Sequence, residues 1–203
     1  MSCEGNGMSD ERIGEALIKE VIEEELKDVS SEEVPPLTPL AVDVKTEQEK
    51  KMVTQLAKMI RIVGDKVQGD KEFQDCIDGV ARAPGCRWER FKQVADKVFE
   101  QGISWENIAV LFYVAGRLAV RMVEAHLPQT VREILTWTVE FFRNNLLGWI
   151  REHGGWINSF SDLAVAHVRS VSSMTFQSYG LIIIFIAGLT LGSVITWRLT
   201  RQH

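Results

Sequence analysis

Apolar positions along this chain recur with the helical period almost throughout. Ile13, Leu17 and Val21 fall on one face after an Asp10-Glu11 start, which predicts an amphipathic helix over residues 10–28. Residues 29–46 interrupt the pattern with Ser30, Ser31, Pro35, Pro36 and Pro39, and read as a long flexible loop. Thr46 and Glu49 have the spacing of a capping box for a helix running to about Gln68. Gly69-Asp70 ends that helix and restarts a short one over 70–80; Ala83-Pro84-Gly85 breaks the chain again before a helix over 86–100. Residues 104–124 are apolar on nearly every side except at Arg117 and Arg121, the pattern of a helix enclosed by protein core or lipid. Leu127-Pro128 turns the chain, with Pro128 suited to a first helical position, into a second largely apolar helix over 129–147. Gly148 and Gly154-Gly155 then delimit two short helices bracketed by Trp149 and Trp156. The β-branched residues fall within helical periods, so no strand is expected. The fold class is all-α, a bundle of eight or nine helices around a buried hydrophobic hairpin.

The last segment has a different character. Tyr179 to Trp197 is an apolar run, and no charge occurs between Arg169 and Arg198. As a helix at ~1.5 Å per residue it would extend roughly 28 Å, close to a hydrocarbon core about 30 Å thick. Arg198 and Arg201 follow it. Residues 171–203 therefore read as a C-terminal transmembrane tail anchor that inserts after synthesis and leaves the bulk of the chain in the cytosol. Leu181, Phe185, Ser193, Trp197 and Arg198 carry it. Ser193 is a polar position inside this span. A serine bonded back to the preceding turn is common in membrane helices, but its polarity also bears on how strongly the segment prefers lipid. The domain division is a disordered N-terminus over 1–9, a helical domain over 10–170 and the anchor.

Composition narrows the function. With 203 residues and 45% apolar residues the chain can build one core and an anchor. The net charge of −5 is unevenly distributed: residues 1–50 hold 14 acids against 5 bases, which leaves 14 acids and 18 bases in the remainder. The later part suits an anionic membrane surface, the first does not. No basic stripe interleaves with aromatics, so nucleic acid is not an expected partner. Residues 1–12 lack the apolar region of a secretory signal. Cys3, Cys76 and Cys86 are an odd set that fits free thiols in a reducing compartment. His126, His153 and His167 have no metal-ligand spacing, and no nucleophile–base pair, phosphate loop or paired catalytic carboxylate stands out. No catalytic residue, metal or cofactor is expected, and the chain does not read as an enzyme.

Three segments carry the candidate function. Leu56, Ile60, Val63 and Val67 lie at i, i+4, i+7 and i+11, a continuous stripe with the spacing of a helix laid into an apolar groove. The same spacing suits any core helix. Gly64 removes a side chain beside the stripe, which lets another backbone approach, and Asp65 is placed to meet a cation at a groove rim. Gly102 to Leu118 reads Gly-Ile-Ser-Trp-Glu-Asn-Ile-Ala-Val-Leu-Phe-Tyr-Val-Ala-Gly-Arg-Leu, and Trp149 to Trp156 reads Trp-Ile-Arg-Glu-His-Gly-Gly-Trp. In this order, before an apolar tail, these resemble the homology motifs of the Bcl-2 family of apoptosis regulators. Leu56–Val67 is similar to the third (death) motif, Gly102–Leu118 to the first and Trp149–Trp156 to the second. Residues 10–28 take the place of the family's first helix with a loose match to the fourth motif. The Ile60-x-x-Val63-Gly64-Asp65 pattern and the tail from Phe185 to Arg198 look most like the pro-apoptotic multi-motif Bax/Bak type.

The resemblance implies a Bcl-2-like bundle whose partners are other family proteins, their death-motif helices, further copies of itself and mitochondrial outer-membrane lipids. The implied function is an effector that oligomerises and permeabilises that membrane, moving there from the cytoplasm after activation by death-motif ligands. The alternative is a prosurvival member that sequesters such helices. Trp105, Ile108, Leu111, Phe112 and Arg117 would belong to the first motif and its groove; Trp149, Ile150, Gly154, Gly155 and Trp156 to the second motif, with the two tryptophans as core anchors. One departure bears on the choice. Where the family commonly has Asn-Trp-Gly-Arg, this chain has Ser104-Trp105-Glu106-Asn107, so the groove cation that meets a ligand Asp is missing. Arg117 and Arg121 are the alternatives for it.

Overall fold

The computed structural model describes residues 4–29, 36–37, 44, 46–68, 71–82 and 87–159. Among these the chain is helical with no strand. The helices are α1 (Glu4–Leu26), α2 (Glu47–Gln68), α3 (Lys71–Arg82), α4 (Arg87–Val98), α5 (Trp105–Glu124), α6 (Gln129–Phe141) and α7 (Leu147–Glu152), with a π-helical turn over Phe142–Leu146. A further helical turn covers 156–159. The proposed anchor, the segment up to it and most of the 29–46 loop lie outside the described residues. Within that loop Leu37 is buried and Arg132 donates to the Pro36 carbonyl at 3.3 Å. Among the described residues no helix is long and apolar enough to cross a membrane.

Helix α5 is the axis of the bundle. Fifteen of its 20 residues are buried, and α1, α2, α3, α4 and α6 all pack against it. A helix apolar on almost all sides has this position available and few others. Ser104 starts it, with extended backbone (φ −144°, ψ 160°) and a hydroxyl that accepts from the Asn107 amide at 3.2 Å. The capping box of α2 forms as read: the Thr46 amide donates to Glu49 at 3.2 Å and the Glu49 amide to the Thr46 hydroxyl at 3.1 Å.

Two boundaries differ from the sequence reading. Helix α1 begins at Glu4 rather than residue 10. Its early turns are held from outside: the Ser9 hydroxyl donates to Glu49 at 2.8 Å, and Arg12 reaches the same carboxylate at 3.0 Å. Gly148 does not divide the chain, because helical backbone continues from 129 to 152 through the π turn. Gly148 faces open space, so its only penalty is the propensity cost of about 1 kcal/mol, small beside the burial of Leu146, Leu147 and Ile150 around it. The break falls at Gly154-Gly155, with φ +88° and +72°, a conformation that glycine adopts without strain.

Candidate functional site

The stripe of α2 is turned inward. Leu56, Ile60 and Val63 are 0%, 2% and 4% exposed, while Asp65 faces solvent. Val67 lies in the last turn of α2, with its side chain outside the described part. The space beside Gly64 is taken by a ring rather than by a backbone: a Cβ there would overlap Tyr113 of α5. Burial pushes the Tyr113 phenol up to about 12, reinforced by the nearby carboxylates of Glu25 and Asp65, with Arg117 and Gln74 acting the other way.

The first and second motifs meet in one aromatic cluster. The Trp105 ring lies 5.1 Å from Trp149 and 5.6 Å from Trp156, and Phe112 and Phe142 stand 6.4 Å and 6.1 Å from Trp156. Ile108, Leu111, Phe112 and Ile150 are fully buried with it. The Trp156 indole donates to the Asp10 carbonyl at 2.8 Å, and its amide donates to the Asp10 carboxylate at 3.3 Å. Gly155 makes this possible, because a Cβ there would sit 2.7 Å from that carboxylate. The second motif thus grips the N-terminal half of α1. His153 stacks on Trp149 with centroids 4.0 Å apart. Among the described residues no group of His, Cys, Asp or Glu is arranged to hold a metal ion.

At the position of the missing groove cation, the Asn107 amide side chain donates to the Gly102 carbonyl at 3.1 Å. The two alternative cations are committed elsewhere. Arg117 lies 3.3 Å from Glu25 of α1 and also donates to Gln74 of α3 at 3.3 Å. Arg121 pairs with Asp78 of α3 and, at 2.7 Å, with Glu124. Both stitch helices together inside the bundle.

The Glu23-Glu24-Glu25 run reads in the sequence as a solvated face and Asp10 as part of a helix start, yet Glu25 and Asp10 lie in the core with Glu15. Asp10, Glu15 and Glu25 are 8%, 1% and 8% exposed. Desolvation holds each carboxyl above the ordinary carboxylate range, against the opposing pull of the Trp156 amide and Arg151 on Asp10, of Arg143 on Glu15 and of Arg117 on Glu25. Arg143, on the π turn, binds Glu15 and lies 3.2 Å from Glu11. The adjacent Phe142 ring covers Gly14, where a Cβ would overlap it. A signal existed for two of them: Asp10 and Glu25 continue the stripe of Ile13, Leu17 and Val21 at either end, so acids occupy core positions.

Comparison with known proteins follows this architecture. A family model described as apoptosis regulator proteins, Bcl-2 family, matches residues 59–156. The apoptosis regulator BAX of Bos taurus is 30% identical over 145 residues, 70% of this chain and 68% of that protein. Bcl-2-like protein 1 of Gallus gallus is 29% identical over 143 residues, 68% of this chain and 62% of that protein. Among solved structures, chicken BOK superposes with a TM-score of 0.57 at 20% identity, covering 76% of this chain and 97% of BOK. Trichoplax adhaerens trBcl-2L2, solved bound to trBak BH3, gives 0.55 at 21% identity, covering 74% of this chain and 95% of that one. The two solved structures bear on the fold alone, and the BAX relative carries the assignment: this all-α bundle, with its α2 stripe packed inward and its two tryptophan motifs joined in one core, belongs to the Bcl-2 family of apoptosis regulators.

Proposed function

We propose that the chain is a pro-apoptotic effector that oligomerises in and permeabilises the outer mitochondrial membrane. The observation that carries this reading is the contrast between the two sides of its recognition chemistry. As a donor, α2 keeps an intact Leu56, Ile60, Val63, Gly64, Asp65 pattern with its apolar stripe in reserve. As an acceptor, the chain has Asn107 engaged in a local cap where a groove arginine would stand, and Arg117 and Arg121 are already paired. A charge-assisted hydrogen bond to a ligand Asp contributes about 1.5–3 kcal/mol, so capture of a free death-motif helix is weakened. Symmetric exchange between two copies buries two stripes at once, which offsets part of that loss.

At rest the stripe lies against α5 and the 104–147 hairpin is enclosed. A ligand that prefers an opened conformer shifts the population toward it. The tail then inserts, the stripe of one copy enters the groove of another, and the amphipathic hairpin lies in the membrane interface. The chain accordingly divides between cytoplasm and outer membrane. The similar identity to Bcl-2-like protein 1 supports the rival reading, a prosurvival binder. Adding the full chain with an activating death-motif peptide to dye-filled liposomes of mitochondrial lipid separates them. Release is expected; no release, together with protection against another effector, establishes the rival. Asp65→Ala should reduce release to background, and release at the unaltered rate would remove α2 exchange from the mechanism. Gly64→Glu should abolish release as well, but it also collides with Tyr113, so Asp65 is the cleaner probe.

A further inference from the structure

Tyr113, Gly116 and Arg117 lie at i, i+3 and i+4 on α5 and so share one face. Between them they receive three helices. The Tyr113 ring covers Gly64 of α2. Glu25 of α1 lies across Gly116, where a Cβ would stand 2.8 Å from Glu25 Cγ and 3.5 Å from the Val21 carbonyl. Arg117 bridges Glu25 and Gln74, both at 3.3 Å, and so joins α1 to α3. The Arg117 and Glu25 side chains are only 14% and 10% exposed, so solvent does not replace either partner at low cost.

We propose that Arg117 is a positioning residue that ties α1 and α3 to the turn of α5 whose Tyr113 holds α2, so that the α2 stripe is freed together with α1 and α3 rather than alone. The charged and polar groups around Glu25 are Asp28 on its own helix, Arg61 of α2, Gln74 of α3, and Tyr113 and Arg117 of α5. Arg61 also bridges outward to Asp28 at 3.2 Å and Glu24 at 3.8 Å, on the solvent side of the same junction. Removing Arg117 leaves the Glu25 carboxylate buried with its closest cation gone. That cost is present while Glu25 is ionised and is relieved as pH falls and the carboxyl takes up a proton. A loss of packing alone would not vary in this way. The regulatory meaning rests on the effector reading above, but the coupling itself can be measured without a membrane.

Hydrogen exchange of the full-length chain, corrected for intrinsic rates, provides the test. In Arg117→Gln the amides of 13–26, 53–64 and 71–82 should exchange together, on the order of 10-fold faster, with α6 unchanged. The excess should shrink toward acid pH. Arg117→Lys should recover part of the protection, and Glu25→Gln combined with Arg117→Gln most of it, because no buried charge is left alone. Gly116→Ala should mimic Arg117→Gln by displacing Glu25, although alanine favours the helix. Acceleration of α1 alone, equal acceleration of α6, or an effect independent of pH overturns the proposal. If exchange behaves as expected and liposomes stay sealed, the effector reading fails and the coupling stands.

Discussion

Single residues set how closely the helices approach. Gly14 and Gly148 make a contrast. The Phe142 ring fills the space a Cβ would need at Gly14, whereas Gly148 has open space around it. Gly14→Ala should destabilise the full-length chain by about 1–3 kcal/mol through overpacking. Gly148→Ala should stabilise it by roughly 0.5–1 kcal/mol through helix propensity. Urea denaturation of both variants checks the pair, and equal effects would show that Phe142 yields freely. Gly64 belongs with Gly14. The sequence marks it as a place of close approach, but not its partner, because Tyr113 is distant in the chain and reaches Gly64 only once α5 is enclosed by the other helices.

At the scale of elements, α1 carries charged pairs to α2, α5 and the π turn beside its apolar stripe. Glu15 has a raised carboxyl because desolvation outweighs Arg143, with Glu11 adding repulsion. A carboxyl raised in the folded state takes up its proton more readily there than in the unfolded chain. Its ionised form therefore costs stability above the folded value, and that cost is relieved as pH falls through it. As pH falls from neutrality through the titration of the raised carboxyl, Glu15→Gln should flatten this part of the pH dependence of unfolding. An unchanged slope would locate the titration elsewhere. The helical periods, the capping box and the Gly154-Gly155 break could all be read from the sequence because each depends on neighbouring residues. The early start of α1 and the continuity through Gly148 could not. Both depend on distant partners: Glu49 holds Ser9 and Arg12, and Glu15 and Gly14 receive Arg143 and Phe142 from the π turn.

For the whole molecule, the arginines a sequence reading would offer as groove cations instead join α1, α3 and α5. Arg117, Arg121 and Arg143 thus serve the closure of the bundle. The effector reading then makes activation a competition between burials: the stripe against α5 or in a second copy, and the 179–197 segment under protein or in lipid. Ser193 tests the second of these. Ser193→Val should raise the membrane-bound fraction in cell fractionation and Ser193→Asp should lower it, while identical partition of both would retire the idea. What the sequence supplied at this scale was the order of the three motifs. It could not show that the first and second meet through Trp105, Phe112, Trp149 and Trp156, or that Trp156 reaches back to Asp10.

The ring over Gly64 has an optical consequence. The chain holds two tyrosines, Tyr113 and Tyr179, and Tyr113 keeps its proton up to about 12 while it is enclosed. A phenol free in water loses its proton near about 10. At an alkalinity between these values, departure of α2 from Tyr113 would convert a phenol to a phenolate, and the change in ultraviolet absorbance would report the opening with no label attached.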